Sequence, residues 1–365
     1  MSMTGLFFTS LIGVGSALVF KDAVVLTSAD VGPGASMTVP LNSAQYYVYA
    51  TYDVRAANAS EYANRVTIGH GHQFTNLLML GYIGNSSDMR LGYIIYDGPV
   101  TITDKNSLTT GKKVPYVVYI VSSAAKRYPI YAAAEGVFNR EKFAIGAVTI
   151  LNTFPTVTLN QFDGTSKNLR VFTCGFDSIA DSSYKILDIP IPSNSTAKIS
   201  SPIFTVVDEM ISTSTSLQFS IEKSDLSINF VTVPRANVVI SSPGWASPSS
   251  TFNVDHTYTD VIDGGFHYDK GTHSFADVQV LVGELFSTQK ISLAFTDGTA
   301  VKSYDLKSKD NIADKGIAVN SFKFNVVGVA SSKPDYLIKI LPGNGFSHFE
   351  LFASFLAVVA MLFRL

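Results

Sequence analysis

Apolar residues in this chain recur at every second position, in short runs, and hardly anywhere at the three-to-four spacing of a helix. In Tyr46-Tyr47-Val48-Tyr49-Ala50-Thr51-Tyr52-Asp53-Val54, one side of an extended strand collects Tyr46, Val48, Ala50, Tyr52 and Val54, and the other Tyr47, Tyr49, Thr51 and Asp53. The spacing predicts a strand with one apolar face. Leu217, Phe219 and Ile221 alternate with Gln218, Ser220 and Glu222, and beyond Lys223-Ser224-Asp225 the pattern resumes at Leu226, Ile228 and Phe230. That layout predicts a hairpin. A second hairpin is predicted from Ile291, Leu293 and Phe295 leading into Asp297-Gly298, a pair that tolerates the positive φ of a tight primed turn. Asp97-Gly98, Asp163-Gly164 and Asp263-Gly264 give further turn signals, and Phe322, Phe324 and Val326 alternate with Lys323 and Asn325. The one stretch with helical character is a short piece around Tyr131 to Phe143. Many short strands with closely spaced turns predict an all-β chain of two, or with a further division three, antiparallel β-sandwich modules rather than an α/β enzyme.

Composition narrows the partners. Of 365 residues 15% are charged, well below the roughly 25% of ordinary soluble domains, and 27 Lys and Arg against 29 Asp and Glu leave a formal net charge of -2. Neither value favours nucleic acid or an anionic membrane surface as a partner. Cys174 is the sole cysteine, so no intramolecular disulfide can form and stability must come from burial. It sits in the apolar run Val171 to Phe176, which predicts a buried, free thiol; an intermolecular disulfide is the sharper alternative.

The two ends carry apolar runs of their own, Leu6 to Phe20 and Leu351 to Leu365. The first has the form of a signal peptide, residues 1–17, with Gly15 and Ala17 as the small pair around a cut after Ala17. The second follows Pro342-Gly343-Asn344-Gly345 and a short polar patch at Ser347, His348 and Glu350. Small residues, a spacer and an apolar tail are the parts of a glycolipid-attachment signal over 344–365, with Gly343 and Asn344 as attachment candidates. A spanning helix over 346–365 competes with it, since it approaches the roughly 20 residues a bilayer core requires. Together the ends predict entry into the secretory pathway and display on the outer face of the plasma membrane, or secretion. Between them one β-sandwich domain is expected over 18–155, closed at Asn152-Thr153-Phe154-Pro155, and a second sandwich region over 156–343, with a division near 241 at the loop-like Ser241 to Ser250.

Three sequons, Asn58-Ala59-Ser60, Asn85-Ser86-Ser87 and Asn194-Ser195-Thr196, lie in polar, turn-like segments and are glycosylation candidates for a secreted chain. His70 and His72 would share a face of an extended strand and could supply two metal ligands. Asp255, His256, Asp260, Asp263, His267 and Asp269, with His273 and Asp277 beyond them, are denser in oxygen and imidazole donors; polar loop residues are the plainer reading, and calcium is the ion that would suit them best. No cofactor is otherwise indicated. There is no G-x-S-x-G elbow, no H-E-x-x-H helix and no phosphate-binding glycine loop, so no catalytic residue is assigned.

Ser242-Pro243-Gly244-Trp245 resembles the Ser-Pro-Gly-aromatic opening of a CUB module, and Phe295-Thr296-Asp297-Gly298 is similar to its late strand-and-turn segment. With a signal peptide, several all-β modules and an apolar tail, the layout resembles nematode CUB-like surface and secreted proteins. The paired cysteines of CUB domains are missing. The resemblance implies a jelly-roll-like sandwich used for extracellular binding in epithelial defence. The expectation is an anchored glycoprotein that binds an extracellular protein or glycan and is not an enzyme. A secreted hydrolase on β-sandwich modules and a structural surface coat are the rival readings.

Overall fold

The structure is a computed structural model that describes residues 23–31, 33–39, 45–82, 89–106, 114–122, 129–141, 147–163, 168–175, 185–190, 196–208, 216–223, 228–229, 236–241, 256–267, 275–283, 285, 289–296, 299, 301–330 and 336–342. Among these the secondary structure is strand throughout except for two short helices, Ala59–Arg65 and Leu77–Tyr82. The all-β expectation therefore holds. The described part of the stretch from Tyr131 to Phe143, residues 131–141, is not helical: it lies in the strands Ile130–Ala132 and Gly136–Glu141 and the short link between them. Gly136 has φ 128°, which no right-handed helix accommodates, and Gly136–Glu141 is paired along its whole length with the strand Ser216–Lys223.

The N-terminal part is a sandwich of two four-stranded antiparallel sheets. One runs, in spatial order, Ala23–Thr27, Tyr116–Ser122, Tyr46–Tyr52, Ile94–Tyr96; the other runs Ser36–Val39, Val100–Asp104, Val66–His70, Gln73–Asn76. Between them Val24, Leu26, Val48 and Ile120 meet Val39, Val66, Ile68 and Ile102. Asp97-Gly98 turns the chain between strands of different sheets, so it carries the chain across the sandwich.

Every residue of Tyr46–Tyr52 is buried, so the expectation of one apolar face is corrected to two. Tyr46, Val48 and Ala50 face the sandwich core, while Tyr47 and Tyr49 join Val25, Tyr119, Ile130, Leu151 and Ile203 in a second apolar layer. Tyrosine reads as half-polar in a sequence, but its ring is a large apolar surface that buries readily.

The remainder is organised on one eight-stranded sheet: Gly136–Glu141, Ser216–Lys223, Val157–Asp163, Thr196–Ser200, Ala236–Ser241, Tyr336–Pro342, Phe275–Val282, Asn311–Ala318. A five-stranded sheet (Lys185–Pro190, Asn168–Phe172, Ile203–Asp208, Ala147–Leu151, Ile130–Ala132) shares a core with it, and another (Ile228–Asn229, His256–His267, Ser321–Ala330, Lys290–Thr296, Val301–Leu306) shares a second. The alternation of a strand feeds both. Val239 and Leu337 enter the first core; their chain neighbours Val238, Ile240 and Ile338 enter the other. The strand Ala147–Leu151, just before residue 155, pairs with Ile203–Asp208, and Ala236–Ser241 pairs with Tyr336–Pro342.

Of the two hairpins, the later one is present: Lys290–Thr296 pairs with Val301–Leu306, Thr296 opposite Val301. The earlier is not. Ser216–Lys223 has both edges occupied, by Gly136–Glu141 and Val157–Asp163, and Ile228–Asn229 pairs in parallel with His256–His267. Two strands from earlier in the chain outcompete the local partner. Asp263-Gly264 is likewise not a turn, since it lies inside His256–His267 opposite Lys323 and Phe322. The alternation of Phe322, Phe324 and Val326 is realised, all three being buried.

Candidate functional site

The strand Tyr46–Tyr52 stops at Asp53. The Asp53 amide donates to the Pro115 carbonyl (2.9 Å), its Oδ1 accepts from the Arg55 amide (3.0 Å), and its carbonyl accepts from the Ala56 amide (3.1 Å). This side-chain-stabilised turn puts Val54 and Arg55 past the end of the sheet. There Arg55 donates through Nη1 to Glu135 Oε2 (2.7 Å) and through Nε to Asp53 Oδ1 (3.3 Å), with its guanidinium 4.5 Å from the centre of the Phe154 ring. Glu135 Oε1 accepts in addition from the Lys223 amide (3.3 Å). One cation thus joins the edge of the N-terminal sandwich to the next sheets.

The facing wall is Met89 to Leu91, held by the Leu91 amide donating to the Ile130 carbonyl (2.8 Å) and the Ala132 amide donating to the Met89 carbonyl (2.9 Å), with Arg90 bridged to Tyr131. Met89 has φ 54°, a region costly for a long side chain and associated with functional sites. Between these walls lies a cleft of about 530 Å³ lined by Tyr52, Val54, Met89, Leu91, Ala132, Ala133 and Phe154, with Asp53, Arg55, Arg90 and Glu135 as its charges. The volume falls within the roughly 300–1,000 Å³ of small-molecule sites. Gly81 shapes one side: a Cβ there would stand 2.9 Å from Cε1 of Tyr52. The carboxylates of Asp53 and Glu135 are both engaged by Arg55, whereas among the described residues the Arg90 guanidinium has no hydrogen-bond or ion-pair partner.

A second polar cluster is buried inside the N-terminal sandwich. Asp104, fully buried, accepts from the Tyr62 hydroxyl (2.6 Å) and from the Asn106 amide (2.9 Å) and Nδ2 (2.8 Å). Burial, then the bond to Asp104, pushes the Tyr62 phenol well above its ordinary value. Burial does the same to Tyr116, whose hydroxyl donates to the Val31 carbonyl, and pushes Tyr96 up to about 12. The Asp104 cluster ties the helix Ala59–Arg65 to the end of the strand Val100–Asp104. Late in the chain Lys302 and Tyr304 both donate to Asp314 Oδ2, which holds the Asp314 carboxyl below and the Lys302 amine above their ordinary ranges.

Of the sequence-derived candidates, Asn58 is exposed at φ 59° immediately before helix Ala59–Arg65, and its side chain makes no capping bond. Asn85, Asn194, Gly343, Asn344, Asp255 and Asp269 lie outside the described residues, as do both terminal apolar runs and Ser242 to Trp245. His256, Asp260, Asp263 and His267 lie along one extended strand. The eleven-residue step from His256 to His267 spans roughly 36 Å at strand rise, so no single ion reaches both. Among the described residues no three metal-ligating side chains converge. His70 and His72 do not share a strand face: Gly71 and His72 form the turn between Val66–His70 and Gln73–Asn76, and the His70 ring packs over Gly98 with Nδ1 2.8 Å from the Pro99 carbonyl. Cys174 is fully buried, as its apolar run predicts, and its carbonyl accepts from Thr205 Oγ1 (2.6 Å). The cleft residues Arg55, Met89, Arg90, Glu135 and Phe154 had no signature in the sequence, because they converge from segments scattered over a hundred positions. No helix among the described residues is long and apolar enough to cross a membrane.

Fold and cleft together define an all-β protein of stacked sandwiches with a ligand-sized cleft at a junction between sheets. No family model and no curated protein matches the chain. Among solved structures it is similar to the CUB1-EGF-CUB2 domains of rat MASP-1, with TM-score 0.21 and 8% identity over 57% of this chain and 98% of that one. It is also similar to the triple jelly roll of an archaeal virus turret, with TM-score 0.17 and 12% identity over 86% and 83% of the two chains. For the lipid-containing bacteriophage PM2 the TM-score is 0.14 at 8% identity, covering 88% and 86%. Superpositions this shallow carry no functional argument, and the fold class rests on the strand pairing itself.

Proposed function

We propose that this chain is an extracellular β-sandwich glycoprotein, held at a membrane by its C-terminal segment, that works by binding a ligand in the cleft between Val54, Met89 and Phe154. The cleft carries the reading. It is ligand-sized and mostly apolar, Val54 and Met89 stand 69% and 39% exposed at it, and its two carboxylates are tied to Arg55 rather than left available for acid-base work. Placement outside the cell is supported by the apolar run Leu6 to Phe20, the tail Leu351 to Leu365 and the accessible sequon at Asn58.

Two measurements test it. Phospholipase release of the full chain from intact cells, with glycosidase-treated samples beside it, tests placement: release with a glycan-dependent mobility shift supports it, and retention with neither glycan nor surface signal contradicts it. A thermal-shift screen of small molecules on the purified full chain, repeated on Val54→Arg, tests binding. Stabilisers lost in the variant support the cleft; stabilisers indifferent to the variant contradict it.

A further inference from the structure

We infer that the ligand of the cleft is a small organic monocarboxylate on an apolar body, with Arg90 receiving the carboxylate. This rests on the cleft being the binding site. Arg55 cannot serve, because its guanidinium already spans Asp53, Glu135 and the Phe154 ring. Arg90 is exposed at the cleft, free of side-chain partners among the described residues, and its backbone is fixed by the bridge to Tyr131 and the flanking bonds of Met89 and Leu91. A guanidinium on a pinned backbone is a ready fork for a carboxylate.

The rest of the lining selects what the carboxylate is attached to. Val54, Met89, Leu91 and Ala133 offer apolar contact, and Met89, a thioether with three rotatable bonds, adapts its shape to an apolar guest. The positive φ of Met89 keeps this side chain at the mouth although the backbone conformation is unfavourable. Asp53 and Glu135 set the charge limit. With Arg55 they form a group of one positive and two negative charges, so a second anionic group on the ligand would meet net negative charge. The cleft therefore favours one anion over two and over none.

Calorimetric titration of the purified full chain with 1-naphthoate, 1-naphthamide and naphthalene-1,4-dicarboxylate tests this. Wild type is expected to bind naphthoate about tenfold more tightly than the neutral amide, the worth of a charge-assisted hydrogen bond, and to bind the dianion more weakly than the monoanion. Arg90→Gln should erase the preference, weakening naphthoate much more than the amide, while Arg90→Lys should keep part of it; unaltered melting temperatures show that the variants fold. Equal affinity for acid and amide in wild type, or a preference that survives Arg90→Gln, overturns the ligand class and leaves the cleft standing as a binding site. Failure of all three probes to bind overturns the ligand class, and only an empty Val54-sensitive screen as well removes the binding reading.

Discussion

The Arg55 guanidinium lies over the ring of Phe154 at 4.5 Å while bonding the carboxylates of Asp53 and Glu135, two residues that are 82 positions apart in sequence. This one side chain lines the cleft and joins the N-terminal sandwich to the sheets that follow.

Replacing it has a bounded effect. Arg55 is 45% exposed, so its ion pairs are screened by water, and the cation–ring contact contributes most of what is lost. Arg55→Ala is expected to lower unfolding stability by about 1 kcal/mol, read by urea denaturation. Arg55→Lys should restore the charge and only part of the stability, because an ammonium lacks the planar face. Equal stability of the alanine variant and wild type would contradict the contact.

Glycine substitutions rank by what their Cβ would strike. At Gly69 the nearest atom is the Gln73 carbonyl oxygen at 2.2 Å, backbone that cannot step aside; at Gly81 it is the Tyr52 ring at 2.9 Å, which can shift into the cleft. Gly69→Ala should cost more than about 2 kcal/mol and Gly81→Ala about 1 kcal/mol, the range of overpacking. The Gly81 variant should also weaken ligand binding. Denaturation midpoints in the reverse order would refute this.

Alkaline pH should unfold the protein early. The Tyr62, Tyr96 and Tyr116 phenols are all raised, Tyr96 to about 12, so above the ordinary tyrosine value near 10 the unfolded chain releases protons that the folded chain keeps. Stability contributed by the buried neutral phenols is complete below pH 10 and falls as pH rises toward 12. Tyr96→Phe loses the hydrogen bond to the Ile68 carbonyl, about 1 kcal/mol, and should flatten the decline. A stability curve level from pH 9 to about 11.5 would count against this burial.

Leu337 and Ile338 are neighbours on one strand yet belong to different cores. Each substitution to alanine should cost about 2–5 kcal/mol and move a single unfolding transition, since the eight-stranded sheet is common to both cores. A biphasic transition in which each variant shifts only one phase would show that the sheet does not couple them.

Alternation was enough to establish the strands, as at Phe322 to Val326 and at the hairpin of Lys290–Thr296, because period two is a local property of the backbone. Pairing was not: Ser216–Lys223 was expected to fold onto Leu226 to Phe230, but its edges are filled by strands that only tertiary structure brings near. The burial of Tyr47 and Tyr49 was hidden for the same reason, since the surface covering them comes from Ile130, Leu151 and Ile203. The cleft was least legible. Asp53 and Arg55 look like an ordinary turn, and nothing near them announces Glu135 or Phe154.

Hydrogen exchange of the full chain, followed by mass spectrometry with and without saturating 1-naphthoate, tests most directly that the cleft is where this protein binds. Slower exchange at the cleft segments Met89–Leu91 and Ala132–Glu135, with Lys302–Asp314 unchanged, is the predicted result. Protection elsewhere with none at these two segments would contradict it.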